Sequence, residues 1–76
     1  MARSVEIDRF QVRTEDGRLH TVVHYQEYVG PRGDELKGLQ RFETQTGKGV
    51  NRDEADGDLF YLPIGFTEPW VAARRV

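Results

Sequence analysis

The sequence predicts an all-β domain: a small antiparallel sheet of about five short strands, curled or partly closed as a small barrel. Three observations carry this prediction. Apolar, aromatic and β-branched residues come in short runs (Val5 to Val12, Leu19 to Tyr28, Leu39 to Thr46 and Leu59 to Phe66), a pattern that suits strands better than helices. Between the runs lie glycine-centred breaks: Asp16-Gly17, Gly30-Pro31-Arg32-Gly33, Gly47-Lys48-Gly49 and Asp56-Gly57. With 76 residues, residues 1–76 make one small domain, and in so short a sheet closure is what protects the edges.

Taken in order, Val5–Val12 and Leu19–Tyr28 form a hairpin around Asp16-Gly17, a strong short-range turn signal. A two-residue loop there pairs Phe10 with Val23, Val12 with Thr21 and Asp8 with Tyr25 on a core face. It pairs Arg13 with His20 and Arg9 with His24 on the other face. A three-residue loop with Gly17 in a bulge shifts the pairing by one, setting Phe10 against Val22 and Val12 against His20. The first register is preferred because it gathers Phe10, Val12, Leu19, Val23 and Tyr25 together.

After the Gly30–Gly33 break, Asp34-Glu35-Leu36-Lys37-Gly38 reads as one helical turn in a connector, capped by Asp34 and stopped by Gly38. Leu39–Thr46 and Val50–Arg52 make a second, shorter hairpin. The acidic loop Asp53–Asp58 leads into Leu59–Phe66, where Pro63 cannot donate to a ladder and predicts a kinked strand at an edge or bulge. For residues 70–76 a last strand is preferred, with a helix capped by Thr67 as the alternative.

Only 37% of the chain is hydrophobic, against about 45–50% in typical globular domains. Leu, Ile, Val and Phe still supply a quarter of the residues, above the roughly 20% below which chains stay disordered. So lean a core draws on nearly every aliphatic and aromatic residue and leaves few to line a deep active-site cavity. The formal charge of -2 provides no general attraction to polyanions, so any nucleic-acid surface has to be local. The absence of Cys excludes disulfides, thiolate metal sites and cysteine nucleophiles. The opening Met1-Ala2-Arg3-Ser4-Val5-Glu6-Ile7-Asp8 has no apolar leader core, and no apolar run approaches the roughly 18–20 residues of a membrane span. A cytoplasmic protein without a membrane partner is expected.

Arg9, Arg13, His20 and His24 form the candidate anion-binding set, with guanidinium forks for bidentate hydrogen bonds and imidazoles that respond to pH. The plainer reading is a solvated face neutralised by Glu6, Asp8 or Glu27. On a strand His20 and His24 lie about 13 Å apart, too far to share a metal ion. In the acidic loop, a calcium pattern with its glycine in place would start at Arg52, a cation. Gly47-Lys48-Gly49 lacks the upstream glycine and the following Ser or Thr of a phosphate loop. Ser4 is the sole serine and no carboxylate pair faces one cleft, so no enzyme, cofactor or metal site is expected. Tyr25, Tyr28, Phe42, Phe60, Tyr61, Phe66 and Trp70 interleave with nine Arg against two Lys. That combination serves either as core or as a stacking platform for single-stranded nucleic acid on a small barrel.

The order Asp16-Gly17-Arg18 with His20-Thr21-Val22, then Arg41-Phe42-Glu43-Thr44, Gly49-Val50-Asn51-Arg52 and Asp56-Gly57-Asp58-Leu59-Phe60 resembles a group of short bacterial proteins of uncharacterised function. The resemblance spans residues 10–62 and rests on turn chemistry. It implies a bacterial cytosolic β domain and names no activity. The function expected is therefore that of a non-catalytic protein-interaction module, acting through a protein partner or by self-association. Its candidate interface is Leu59, Phe60, Tyr61, Phe66 and Trp70, on an apolar strand taken to be unprotected. The alternative is a single-stranded nucleic-acid module.

Overall fold

The computed structural model describes residues 2–31, 33–65 and 69–76. Its elements are β1 (Ala2–Thr14), β2 (Leu19–Val29), β3 (Leu36–Thr44), β4 (Gly49–Arg52), β5 (Leu59–Leu62) and β6 (Val71–Arg75). No helix occurs among the described residues. Each strand pairs antiparallel with the next, and β6 returns to β1 through Val12↔Arg75, Arg13↔Arg74 and Thr14↔Ala73, closing a barrel. Closure removes the edges of β4, β5 and β6, the strands too short to defend themselves.

The period of two in each strand sets the core. Phe10 and Val12 of β1, Val22 of β2, Val50 of β4, Phe60 and Leu62 of β5 and Ala73 of β6 point inward as one cluster, with Phe42 of β3 packed against it. Val12, Val22 and Leu62 are fully buried. The interior is thus filled by side chains, as expected of a barrel this narrow.

β1, β2 and β3 outrun the barrel. Residues 2–6, 25–29 and 36–41 continue as a three-stranded arm, because β6 meets β1 only at Val12–Thr14 and β4 meets β3 only at Phe42 and Glu43. The molecule is accordingly elongated, 46 × 21 × 19 Å. Both outer strands of the arm carry a bulge. Ile7 is the extra residue between Glu6↔Tyr25 and Asp8↔His24, and Gly38 with Leu39 faces the single Glu27. Such bulges twist an edge and shorten the run that another strand can join.

Several expectations change. The first hairpin takes the three-residue loop, so Phe10 pairs with Val22, Val12 with His20 and Arg13 with Leu19. The cause is backbone conformation. Thr14 N–H donates to the Arg18 carbonyl at 2.9 Å, Gly17 N–H donates to the Thr14 carbonyl at 3.0 Å, and only Gly17 takes a positive φ, 85°. A two-residue loop would force Asp16 into the left-handed region as well. Thr44–Lys48 repeats the arrangement, with Gly47 at φ 90° and bonds of 3.0 and 2.7 Å. The helical turn at 34–38 is absent because Leu36 and Lys37 already pair with Val29 and Tyr28. β5 stops at Leu62, before Pro63, and residues 71–75 form a strand. The capping role considered for Thr67 falls outside the described residues.

Candidate functional site

The register decides which side chains meet. Arg9 and Arg13 alternate with buried Phe10, Val12 and Thr14, so both point outward. His20 and His24 share the inward side with Val22. The Arg9, Arg13, His20, His24 face therefore does not form; the one-residue shift sends its two halves to opposite sides of the sheet. Arg9 pairs with Glu6 at 2.9 Å. His24 stacks on Phe42, centroids 4.3 Å apart, and its Nε2 lies 2.9 Å from Gln40 Oε1. His20 sits at the barrel end away from the arm, and its buried Nε2 has no partner among the described residues. The shallow cleft beside it, about 400 Å³, is lined by Thr14, Asp16, Arg18, Ile64 and Val71 among others.

The candidate interface also dissolves. β5 lies between β4 and β6, Phe60 is buried in the core, and Leu59 and Tyr61 are half-buried. Tyr61 OH donates to Asp53 Oδ1 at 3.0 Å. Trp70 is exposed, and Phe66 lies outside the described residues.

What the structure assembles instead is a mouth at the foot of the arm. Phe10, Phe42 and Phe60 pack edge-on and tilted, with centroid separations of 6.3, 5.1 and 5.2 Å. Cations cover them: Arg75 Cζ stands 4.3 Å from the Phe10 centroid and Arg52 Cζ 5.3 Å from that of Phe42. Each follows an inward core residue by two positions, Arg75 after Ala73, Arg52 after Val50 and His24 after Val22, which brings all three to the same rim. Arg75 lies 3.5 Å from Asp8, whereas Arg52 makes no ion pair among the described residues. Behind His24 the amides are saturated. Gln40 Nε2 donates to Gln26 Oε1 at 3.1 Å, and Gln26 Nε2 donates to the Gly38 and Glu27 carbonyls at 2.9 and 3.0 Å. Gln26 is buried and fully satisfied, which fixes the root of the arm.

The arm has two unlike faces. On the face continuous with the barrel exterior, Arg41 lies 4.7 Å over Tyr25 and donates to Glu43, Glu27 and Ser4 at 2.5, 2.9 and 2.5 Å. The hydrogen bond to Glu43 is the main cause that holds its guanidinium charged. On the face continuous with the interior, Arg3 lies 4.8 Å over Tyr28 and forks onto Glu35 at 2.9 and 3.1 Å, and Tyr28 pairs with exposed Lys37.

The acidic loop is a staple. Asp53 Oδ2 accepts from Asp56 and Ala55 N–H at 2.9 and 3.0 Å. The Asp56 amide first, then Tyr61 OH, hold its carboxyl below the usual range. Asp56 is lowered chiefly by Arg74, 2.6 Å away. No group of three or more His, Cys, Asp or Glu placed to hold a metal occurs among the described residues, and no helix among them is long and apolar enough to cross a membrane.

Sequence reasoning missed Arg52, Arg75 and Gln40 as a group. The signal for Gln40 and Arg52 is the pattern Thr44-x-x-Gly47-Lys48, a repeat of Thr14-x-x-Gly17-Arg18, which marks a bulged three-residue loop and so the β3–β4 register, whereas Arg75 reaches the rim only through the return of β6 to β1.

Comparison of the chain with protein-family models, with curated proteins and with solved structures finds no match.

Proposed function

We propose that this chain is a non-catalytic interaction module that self-associates through the open β3 edge of its arm. The observation that carries the reading is the exposure of Leu36 and Leu39, 74% and 80%. A chain short of core-forming residues has only five leucines, and it sets two of them on a strand that β4 leaves unpaired below Phe42. Unpaired backbone N–H and C=O groups flanked by apolar side chains are a template for another strand. Ile7 and Val29, about half exposed, extend the apolar surface of the arm.

The partner is a second copy. From Leu36 to Gln40 the edge carries no carboxylate and one cation, Lys37. Two such edges paired about a two-fold axis at Gly38 set Lys37 opposite Leu39 and Leu36 opposite Gln40, with no like charges face to face. An isologous contact closes as a dimer, and the bulge keeps the pairing short.

Sedimentation velocity from micromolar to millimolar protein tests this. A monomer–dimer equilibrium is expected, abolished by Leu36→Gln with Leu39→Gln at unchanged melting temperature. A monomer throughout, or a double variant that dimerises like the parent, overturns the reading.

A further inference from the structure

We infer that the inner face of the arm and the barrel mouth form one path for single-stranded nucleic acid. The chain as a whole is acidic, so such a path requires cations gathered on one side. The register gathers them. Tyr28 and Lys37 lie on the inner face of the arm, and His24, Arg52 and Arg75 on the rim below it. On the opposite face of the arm Arg41 is engaged by Glu43 and Glu27 and Arg9 by Glu6.

On the inner side the carboxylates Glu35 and Asp8 are already engaged by Arg3 and Arg75. Lys37 and Arg52 make no ion pair among the described residues. Of the four cations stacked on aromatic rings among the described residues, three are on this side: Arg3 on Tyr28, Arg52 on Phe42 and Arg75 on Phe10. Guanidinium groups held over rings can turn their remaining N–H groups to phosphate oxygens and stack on bases.

Beside Arg52 the root of the arm and the β4–β5 loop border an open cleft of about 550 Å³, lined by Gln40, Arg41, Phe42, Asn51 and Glu54 among others. That is room for one nucleotide, with the Asn51 side-chain amide to hydrogen-bond a base edge and the Arg52 guanidinium to stack on it. Asp53, on the same loop, is turned to Tyr61 and its own backbone, which leaves Glu54 as the one carboxylate bordering the cleft without a partner among the described residues. The mixed lining suits a base more than a bare anion, with the phosphates tracking Lys37, Arg52 and Arg75.

Fluorescence anisotropy of a fluorescein-labelled oligothymidylate, at protein concentrations where the chain is monomeric, tests the path separately from self-association. About three phosphate contacts predict that affinity falls about twentyfold over a fourfold rise in salt. Arg52→Glu and Lys37→Glu, both exposed, should each weaken binding about tenfold and flatten the salt slope, while Arg13→Glu on the outer side changes neither. The inference is overturned by absent or salt-insensitive binding, or by equal loss in the Arg13→Glu variant. It is also overturned if a duplex of the same length binds as tightly, or if inorganic phosphate competes as well as the oligonucleotide, which marks a small-anion site.

Discussion

The barrel and the arm share three strands and differ in what holds them. In the barrel every strand has two neighbours and the inward side chains are buried against one another. In the arm only β2 has two neighbours, and the large apolar side chains Leu36 and Leu39 stand in solvent, with Ile7 and Val29 half exposed. Its cohesion comes from pairwise polar contacts: Arg41 with Glu43, Glu27 and Ser4, Arg3 with Glu35, and the Gln40–Gln26 amides. Exposed ion pairs contribute little each, whereas burial of a large apolar side chain is worth several times more. Stability therefore resides in the barrel and the proposed recognition in the arm, so damage to the two should be felt on different scales.

The largest effect breaks the barrel. Phe60 is 2% exposed and touches both Phe10 and Phe42, so Phe60→Ala should cost about 3–5 kcal/mol, enough to unfold so small a domain. Loss of the cooperative thermal transition is the expected readout. Hydrogen exchange on the intact chain sharpens the same contrast: amides of residues 2–6 and 36–41 should exchange well before those of Val12, Val22 and Phe60, through opening of the arm alone. Equal protection in both regions would make the arm as stable as the barrel and remove the distinction.

Next in size are the glycines with positive φ. Gly17 at 85° and Gly33 at 89° both have open space where a Cβ would stand, so Gly17→Val and Gly33→Val carry similar local backbone penalties, about 1–2 kcal/mol or more. Their reach differs. Gly17 closes the β1–β2 hairpin inside the barrel, and its variant should lower the global melting temperature by several degrees. Gly33 lies in the loop at the arm tip, and its variant should chiefly speed exchange in 36–41. Equal melting temperatures for the two variants would count against a separable arm.

The all-β class, the antiparallel order and the closing tendency were legible because turn glycines and β-branched runs are local signals. The register was not, since Asp16-Gly17 satisfies a two-residue and a three-residue loop equally well by residue type. The choice turns on whether Asp16 must enter the left-handed region. That single shift carried His20 and His24 inward and dispersed the expected anion face. Leu59–Tyr61 read as an exposed apolar strand because hydrophobicity does not say whether a strand is central or at an edge; only the return of β6 to β1 settles it. The arm was legible least. The leucines that mark it, Leu36 and Leu39, read as the inner residue of a turn and the start of a strand, and their exposure depends on where β4 stops.

A smaller effect separates the acidic loop from both regions. The carboxyl of Asp53 is lowered in the folded chain by the Asp56 amide, Tyr61 OH and the Ala55 amide. A depressed folded value means that the stabilisation is present above the unfolded value, near 3.8, and is lost as pH falls through the folded one. Asp53→Asn should therefore melt below the parent at pH 7, with the gap closing as pH drops under about 4. A gap that is constant with pH would place the effect in the shape of the loop rather than in its charge.

The smallest expected effect is the most diagnostic for the arm. Leu39 is the bulged residue of β3, 80% exposed and opposite no side chain of its own in β2. Leu39→Gln removes little buried area within the chain, so the stability of the monomer should stay within about 0.5 kcal/mol of the parent. Yet the same change places an amide where the proposed dimer sets Lys37 of the second copy, so association should weaken while folding does not. Thermal melts at the lowest workable concentration, beside sedimentation at the highest, measure the two quantities on one variant. A drop in monomer stability would mean that Leu39 packs within its own chain, and the arm would then hold itself together by apolar burial as the barrel does.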